Sequence, residues 1–185
     1  MNIVQIGSNG GKDDAYDYIQ KNSSKIDNLL LIEPLVEFNN VLKDQYSDIN
    51  NLYIENIVIV DDENIKEIEF FISPNNHRLS SINIKHILKH KINESSISKK
   101  NIKSDTLSNI LNKYQLFKIN KLFIDTEGFD EKIIKSIDMN KYDIDIIEYE
   151  WMHINEKNTK EYLMSYGYNI EDRVGFKGWS SRASR

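Results

Sequence analysis

The residues best equipped for chemistry lie together in Leu122-Phe123-Ile124-Asp125-Thr126-Glu127-Gly128-Phe129-Asp130. An apolar run ends in two carboxylates separated by a threonine, then a glycine, then a helix-type segment from Glu131 to Ser136. A buried strand that delivers acids at its carboxyl end into a tight turn is how α/β sheets build sites. Desolvating an unpaired carboxylate costs several kcal/mol, so two of them need a reason. Either they do chemistry, or Asp125 caps the helix that follows, Asp being a favoured cap residue.

The amino-terminal stretch offers a partner for that chemistry. Asn2-Ile3-Val4-Gln5-Ile6-Gly7 reads as a short strand, followed by Ser8-Asn9-Gly10-Gly11 and a helix start near Asp14. Strand, glycine turn and helix bring backbone N–H groups up to a ligand. A second strand, Leu29-Leu30-Leu31-Ile32, ends in Glu33-Pro34. In nucleoside-binding sheets an acid at this place hydrogen-bonds the ribose hydroxyls. A dinucleotide fingerprint needs G-x-G-x-x-G, and Asn9 stands at its second glycine. A phosphate-binding Walker loop fails as well, because Ile6 fills its first glycine position and Asp13 replaces the magnesium-binding hydroxyl. The loop suits an adenosyl ligand without phosphates, which points to S-adenosylmethionine; an ordinary strand-to-helix turn is the alternative.

These segments resemble the FkbM-type methyltransferases. Val4-Gln5-Ile6-Gly7-Ser8-Asn9-Gly10-Gly11 with Asp14 is similar to the family's first motif, and Ile32-Glu33-Pro34 with its following helix to the second. Ser80-Ser81-Ile82 resembles a mid-chain Ser-Ser-Leu element. Ile124 to Ile134 resembles the hallmark "IDTEGYDxxIL", and Ile147 to His153 the closing "I-x-x-E-H-x-H". Leu163 to Tyr168 is similar to "L-x-x-x-G-Y". Three positions depart: Gln5 where many methyltransferases carry an acid, Gly10 where Asp is frequent, and Trp151 where His is frequent. The resemblance implies a doubly wound, Rossmann-like class I methyltransferase sheet in one domain, residues 1–179. It implies cofactor contacts from Gly7, Ser8, Asn9, Gly10, Asp14, Glu33, Pro34, Asn56, Ser81 and Asp125. Asp125, Glu127, Glu150 and His153 are its catalytic candidates. No metal is expected, since the acids of the Asp125 turn lack a full ligand set. The implied reaction is O-methylation of a glycan or small metabolite. A nicotinamide-dependent oxidoreductase and a non-catalytic cofactor-binding module remain as rivals.

Length and composition bound the rest. At 185 residues, with 39% hydrophobic and 29% charged residues, the chain suits one polar globular domain. There is no cysteine and no apolar run of membrane-spanning length, so a cytoplasmic location is the default expectation. A basic stretch from Arg78 to Lys103 interrupts a chain of net charge −5. It reads as a solvated surface or as a lure for an anionic acceptor; nothing in it resembles a nucleic-acid motif. His86 and His90, spaced i, i+4, are expected on a solvated helix face, with no third metal ligand nearby in sequence.

The elements that must position these groups follow from periodicity and caps. Strands are expected at 2–7, 28–32, 52–60, 68–72, 121–125 and 144–149, with terminal strands after Tyr168. Helices are expected at 14–22, 36–46, 105–114, 130–137 and 158–166. Residues 74–104 show no clear pattern, and 180–185 are expected as a disordered tail.

Overall fold

The computed structural model describes residues 1–174 and 180–185. In chain order the elements are β1 (Asn2–Ile6), α1 (Asp14–Asn22), β2 (Asn28–Ile32), α2 (Asn39–Gln45), β3 (Leu52–Glu55), β4 (Val58–Val60), β5 (Glu67–Ile72), α3 (Ile84–Lys89) and β6 (Ser98–Thr106). There follow α4 (Leu107–Lys113), β7 (Lys118–Ile119), β8 (Lys121–Ile124), α5 (Asp130–Ser136), β9 (Asp143–Ile144), β10 (Ile146–Glu150), α6 (Glu156–Ser165), β11 (Asn169–Val174) and β12 (Ser180–Ser184).

The main sheet has seven strands in the order β3-β2-β1-β8-β10-β12-β11. Strands β3 to β10 are parallel, and β12 runs antiparallel between β10 and β11. Successive strand residues face opposite sides, so both faces must be covered. Val4, Leu30, Leu122 and Ile124 pack into one core, while Ile3, Leu29, Leu31 and Phe123 pack into another with residues of α1 and α2. The chain leaves β1 toward β2 on one side and returns later to β8 on the other. That reversal of strand order opens a crevice at the carboxyl ends of β1 and β8, where open α/β sheets bind ligands.

Three expectations change. The strand expected at 52–60 is two strands in different sheets, because the chain bends at Asn56, whose amide donates to Glu33 O and exchanges hydrogen bonds with Asn39. The unpatterned middle holds α3 and β6, and β6 joins β4 and β5 in a second, three-stranded sheet. The expected disordered tail is instead β12, inserted into the main sheet with Ala183 fully buried; the expected domain boundary at 179 lies outside the described residues. Its pattern, Ser-Ser-Arg-Ala-Ser, is too polar to announce a strand, but the Arg182 guanidinium donates to Glu148 and Glu171.

Arg182 completes a buried charge group. Lys121, 2% exposed, lies 2.9 Å from Glu148, with its ammonium over the rings of Tyr18 and Phe123. Burial holds the Lys121 amine below its ordinary value, against the pull of Glu148. Lys121→Met keeps the stem and removes the charge, while Glu148 keeps Arg182. The expected loss is therefore that of a charged hydrogen bond, about 1.5–3 kcal/mol, rather than that of an orphaned ion. Urea melts of the two proteins check this; equal midpoints would show that the pair contributes nothing.

Candidate active site

The crevice is a cavity of about 960 Å³, a size suited to a small organic ligand. Its floor is the β1 turn. Gly7 has φ +82°, and a Cβ there would sit 1.8 Å from the Asp125 carbonyl oxygen. The end of β1 thus lies directly against the end of β8, and only glycine fits. The loop beyond is closed on itself. Gly11 N–H donates to Ser8 O, Gly10 N–H to Asn9 Oδ1, and Asn9 N–H to Glu33 Oε2 at 2.6 Å. Those amides are therefore already engaged and are not presented to a phosphate.

Glu33 is 4% exposed and also accepts from Leu35 N–H at 2.9 Å. Burial pushes its carboxyl up to about 7, although both N–H donors favour the charged form. Asp13 caps α1 by accepting from Tyr16 N–H, is held by Gln5 Nε2 at 2.9 Å, and is raised by burial. Gln5, the departure on β1, therefore anchors an acid that lines the cavity. Sequence reading missed Asp13 as a wall residue; its signal was the cap position before α1.

At the other end stand the carboxylates of the β8 turn. The helix-cap alternative for Asp125 does not hold: the α5 cap is Phe129, and Asp130 ties the turn, accepting from Thr126 Oγ1 at 2.8 Å and from the Thr126 and Gly128 N–H groups. Asp125 lines the cavity, with its side chain exposed to it. Desolvation between the crevice walls, then Glu127 and Glu150, raise it well above the usual carboxylate range. Glu150 is pushed up to about 8 by burial, Glu127 and Asp130. Asp130, wholly buried, reaches about 6 because desolvation outweighs its hydrogen bonds.

Of the catalytic candidates, Asp125, Glu127 and Glu150 line the cavity. His153 stands behind Glu127, its Nε2 3.8 Å from Glu127 Oε2. Burial and then His86 hold the His153 imidazole below its ordinary value. Among the cofactor candidates, Gly7, Asn9, Asp14, Glu33, Pro34 and Asp125 line the cavity. Ser8 is fully buried, Ser81 Oγ accepts from Asn83 N–H, Gly10 packs toward Phe38, and Asn56 is occupied by Glu33 O and Asn39. These four buttress the wall.

The middle segment supplies what sequence left blank. His77, together with Arg78 and His90 of the basic stretch, reaches the cavity, whereas Lys99 and Lys100 pair with Glu69 and Glu37 on the surface. His86 is not on a solvated face. It is 3% exposed, with Nε2 2.9 Å from Glu127 Oε2. The apolar neighbours Ile84 and Ile87 on its helix were the available signal.

Residues 5–170 match the methyltransferase FkbM domain family. The fold is similar to that of an FkbM methyltransferase from Methylobacillus flagellatus, with TM-score 0.60 and 13% identity. That likeness takes in 100% of this chain and 43% of the other. A methyltransferase-like structure from Thermoplasma acidophilum, described as putative, matches at TM-score 0.40 and 10% identity, over 100% of this chain and 66% of that one. The chain thus spans less than two thirds of either. No curated protein matches it in sequence. No helix among the described residues is long and apolar enough to cross a membrane.

Proposed function

The chain belongs to the FkbM methyltransferase family, and from that premise we propose that it moves a methyl group from S-adenosylmethionine to a hydroxyl of a glycan or small metabolite. The observation that carries the choice of cofactor is the chemistry of the cavity wall. The loop amides that would cradle a pyrophosphate are used internally, and Asp13, Asp14 and Asp17 line the space beyond them. That acidic stretch suits the positive sulfonium and ammonium groups. This disfavours the nicotinamide reading and gives the glycine loop a reason for its departures.

Glu33 is placed to accept from the ribose hydroxyls through the lone pairs that Asn9 and Leu35 leave free. Asp125 would hold the methionine end. When bound, S-adenosylmethionine supplies an electrophilic methyl carbon. With the acceptor hydroxyl aligned on that carbon, its proton would pass to a carboxylate of the cavity wall. Glu127 is the leading acceptor of that proton, because it lines the cavity while His153 stands behind it. Alignment in the walled cavity supplies the rest of the acceleration. His77 and Arg78 at the wall suit an acceptor bearing a negative group.

Calorimetry with S-adenosylhomocysteine and with NAD tests the cofactor, and transfer of labelled methyl into a metabolite extract tests turnover. Binding of NAD alone would overturn the reading. Binding of S-adenosylhomocysteine without any labelled product would favour the non-catalytic module.

Glu33 makes the cofactor affinity depend on pH. Its folded carboxyl titrates at about 7, above its ordinary value of 4.5. Its contribution to stability is therefore full below 4.5 and is lost as pH rises through about 7. Ribose hydroxyls favour the ionised form. S-Adenosylhomocysteine should thus bind about tenfold more tightly per pH unit up to about 7 and level off above. Glu33→Gln should flatten that slope. A wild-type affinity unchanged between acid and neutral pH would remove Glu33 from the ribose.

A further inference from the structure

We propose that His86, Glu127 and His153 form a binding site for one divalent transition-metal ion. The three side chains come from separate elements: α3, the turn after β8 and the loop after β10. One donor atom from each lies within 4.8 Å of the others. His86 Nε2 is 2.9 Å from Glu127 Oε2, and His153 Nε2 is 3.8 Å from the same oxygen. The two imidazole rings stand nearly perpendicular, with centroids 4.6 Å apart.

The geometry at His86 separates a metal site from a salt bridge. Its Nε2 is buried, close to a carboxylate oxygen, and yet without a hydrogen-bond partner among the described residues. A buried imidazole nitrogen left unpaired is costly. A hydrogen bond would aim the N–H along the line to the oxygen; here the two atoms are near neighbours without that alignment. Ligands of one ion behave this way. With metal–ligand bonds of roughly 2.0–2.2 Å, adjacent donor atoms fall roughly 3 Å apart and point at the ion, not at each other.

The backbone supports the same reading. Glu127 is held at φ +55°, a conformation that non-glycine residues adopt rarely. A Cβ on the next residue, Gly128, would lie 3.3 Å from His153 Cβ, so the turn and the loop are in close contact. Two imidazoles and one carboxylate suit zinc, manganese, iron(II) or cobalt(II) better than magnesium or calcium, which prefer all-oxygen sites. Three protein ligands leave positions open for water or for an acceptor hydroxyl, which a bound cation would acidify. Glu127 belongs both to this cluster and to the cavity wall, so that use of the ion, unlike its binding, rests on the methyl-transfer reading.

The test uses the full chain, stripped with chelator and titrated with cobalt(II), whose visible absorption bands report coordination. One cobalt per chain is expected, displaced by zinc and not by an equal concentration of magnesium. Glu127→Gln and His153→Ala should each weaken binding at least about tenfold, whereas His90→Ala, just past the end of the His86 helix, should not. His86→Asn is informative where it folds; His153→Ala, on a partly exposed side chain, carries the test otherwise. No stoichiometric binding, or unchanged affinity in His153→Ala, overturns the site. S-Adenosylhomocysteine binding to the same stripped samples is read separately. Loss of the metal site therefore leaves the methyltransferase reading intact, and a bound metal without cofactor binding would sink that reading alone.

Discussion

Glu127→Gln is expected to slow single-turnover methyl transfer by about 10²–10⁴-fold while leaving S-adenosylhomocysteine affinity near the wild-type value, the loss typical of a missing general base. The substitution preserves shape and hydrogen bonding but removes the charge that would take the hydroxyl proton. Glu127 stands on the cavity wall between carboxylates, and His86 and His153 lie behind it. His153→Asn should cost less, about 10–100-fold, if it only orients Glu127. Should a metal ion occupy the cluster, the two variants fall together, since each then removes a ligand. Wild-type rates for both at saturating acceptor would leave alignment as the whole of catalysis.

Gly7→Ala is expected to lower stability by at least about 3 kcal/mol and to abolish cofactor binding. Two costs add. An L side chain at φ +82° is strained by about 1–3 kcal/mol. The new methyl would also meet the Asp125 carbonyl at 1.8 Å, so β1 and β8 must part. That carbonyl is backbone at the sheet's centre and has nowhere to go. The displacement falls on the turn that positions Asp125 and Glu127, so function and stability fail together. Denaturant unfolding and calorimetry measure both; a variant within about 1 kcal/mol of wild type, the range of ordinary substitutions, would show that the two strands can separate freely.

The contrast between Gly7 and His86 shows what the sequence could reveal. Gly7, Glu33 and Asp125 were legible because each follows directly on a continuous apolar strand, with Glu127 in the turn just beyond, and in a parallel sheet strand ends define the crevice. Local order alone carried that information. His86 was visible as a spaced pair with His90, but its burial depends on α3 packing against a turn some 40 residues later, which no local period encodes. Likewise β6 begins Ser-Lys-Lys-Asn, with its first four residues exposed, so its hydrophobic alternation is absent. It becomes a strand because β4 and β5 pair with it on either side. The polar β12 is a strand for the same reason, with its neighbours rather than its own residues deciding.

The insertion of β12 has a consequence for the newly made chain. Among the described residues β11 hydrogen-bonds to the main sheet only through β12, which is synthesised after it. Until Ser180–Ser184 is in place, β10 presents a bare, hydrogen-bonding edge, and the Lys121–Glu148 pair lacks Arg182. Such an edge is a template for another chain's strand. The most polar segment of the sheet is therefore its closing seam, and the nascent protein is most open to misassociation just before that seam is sewn.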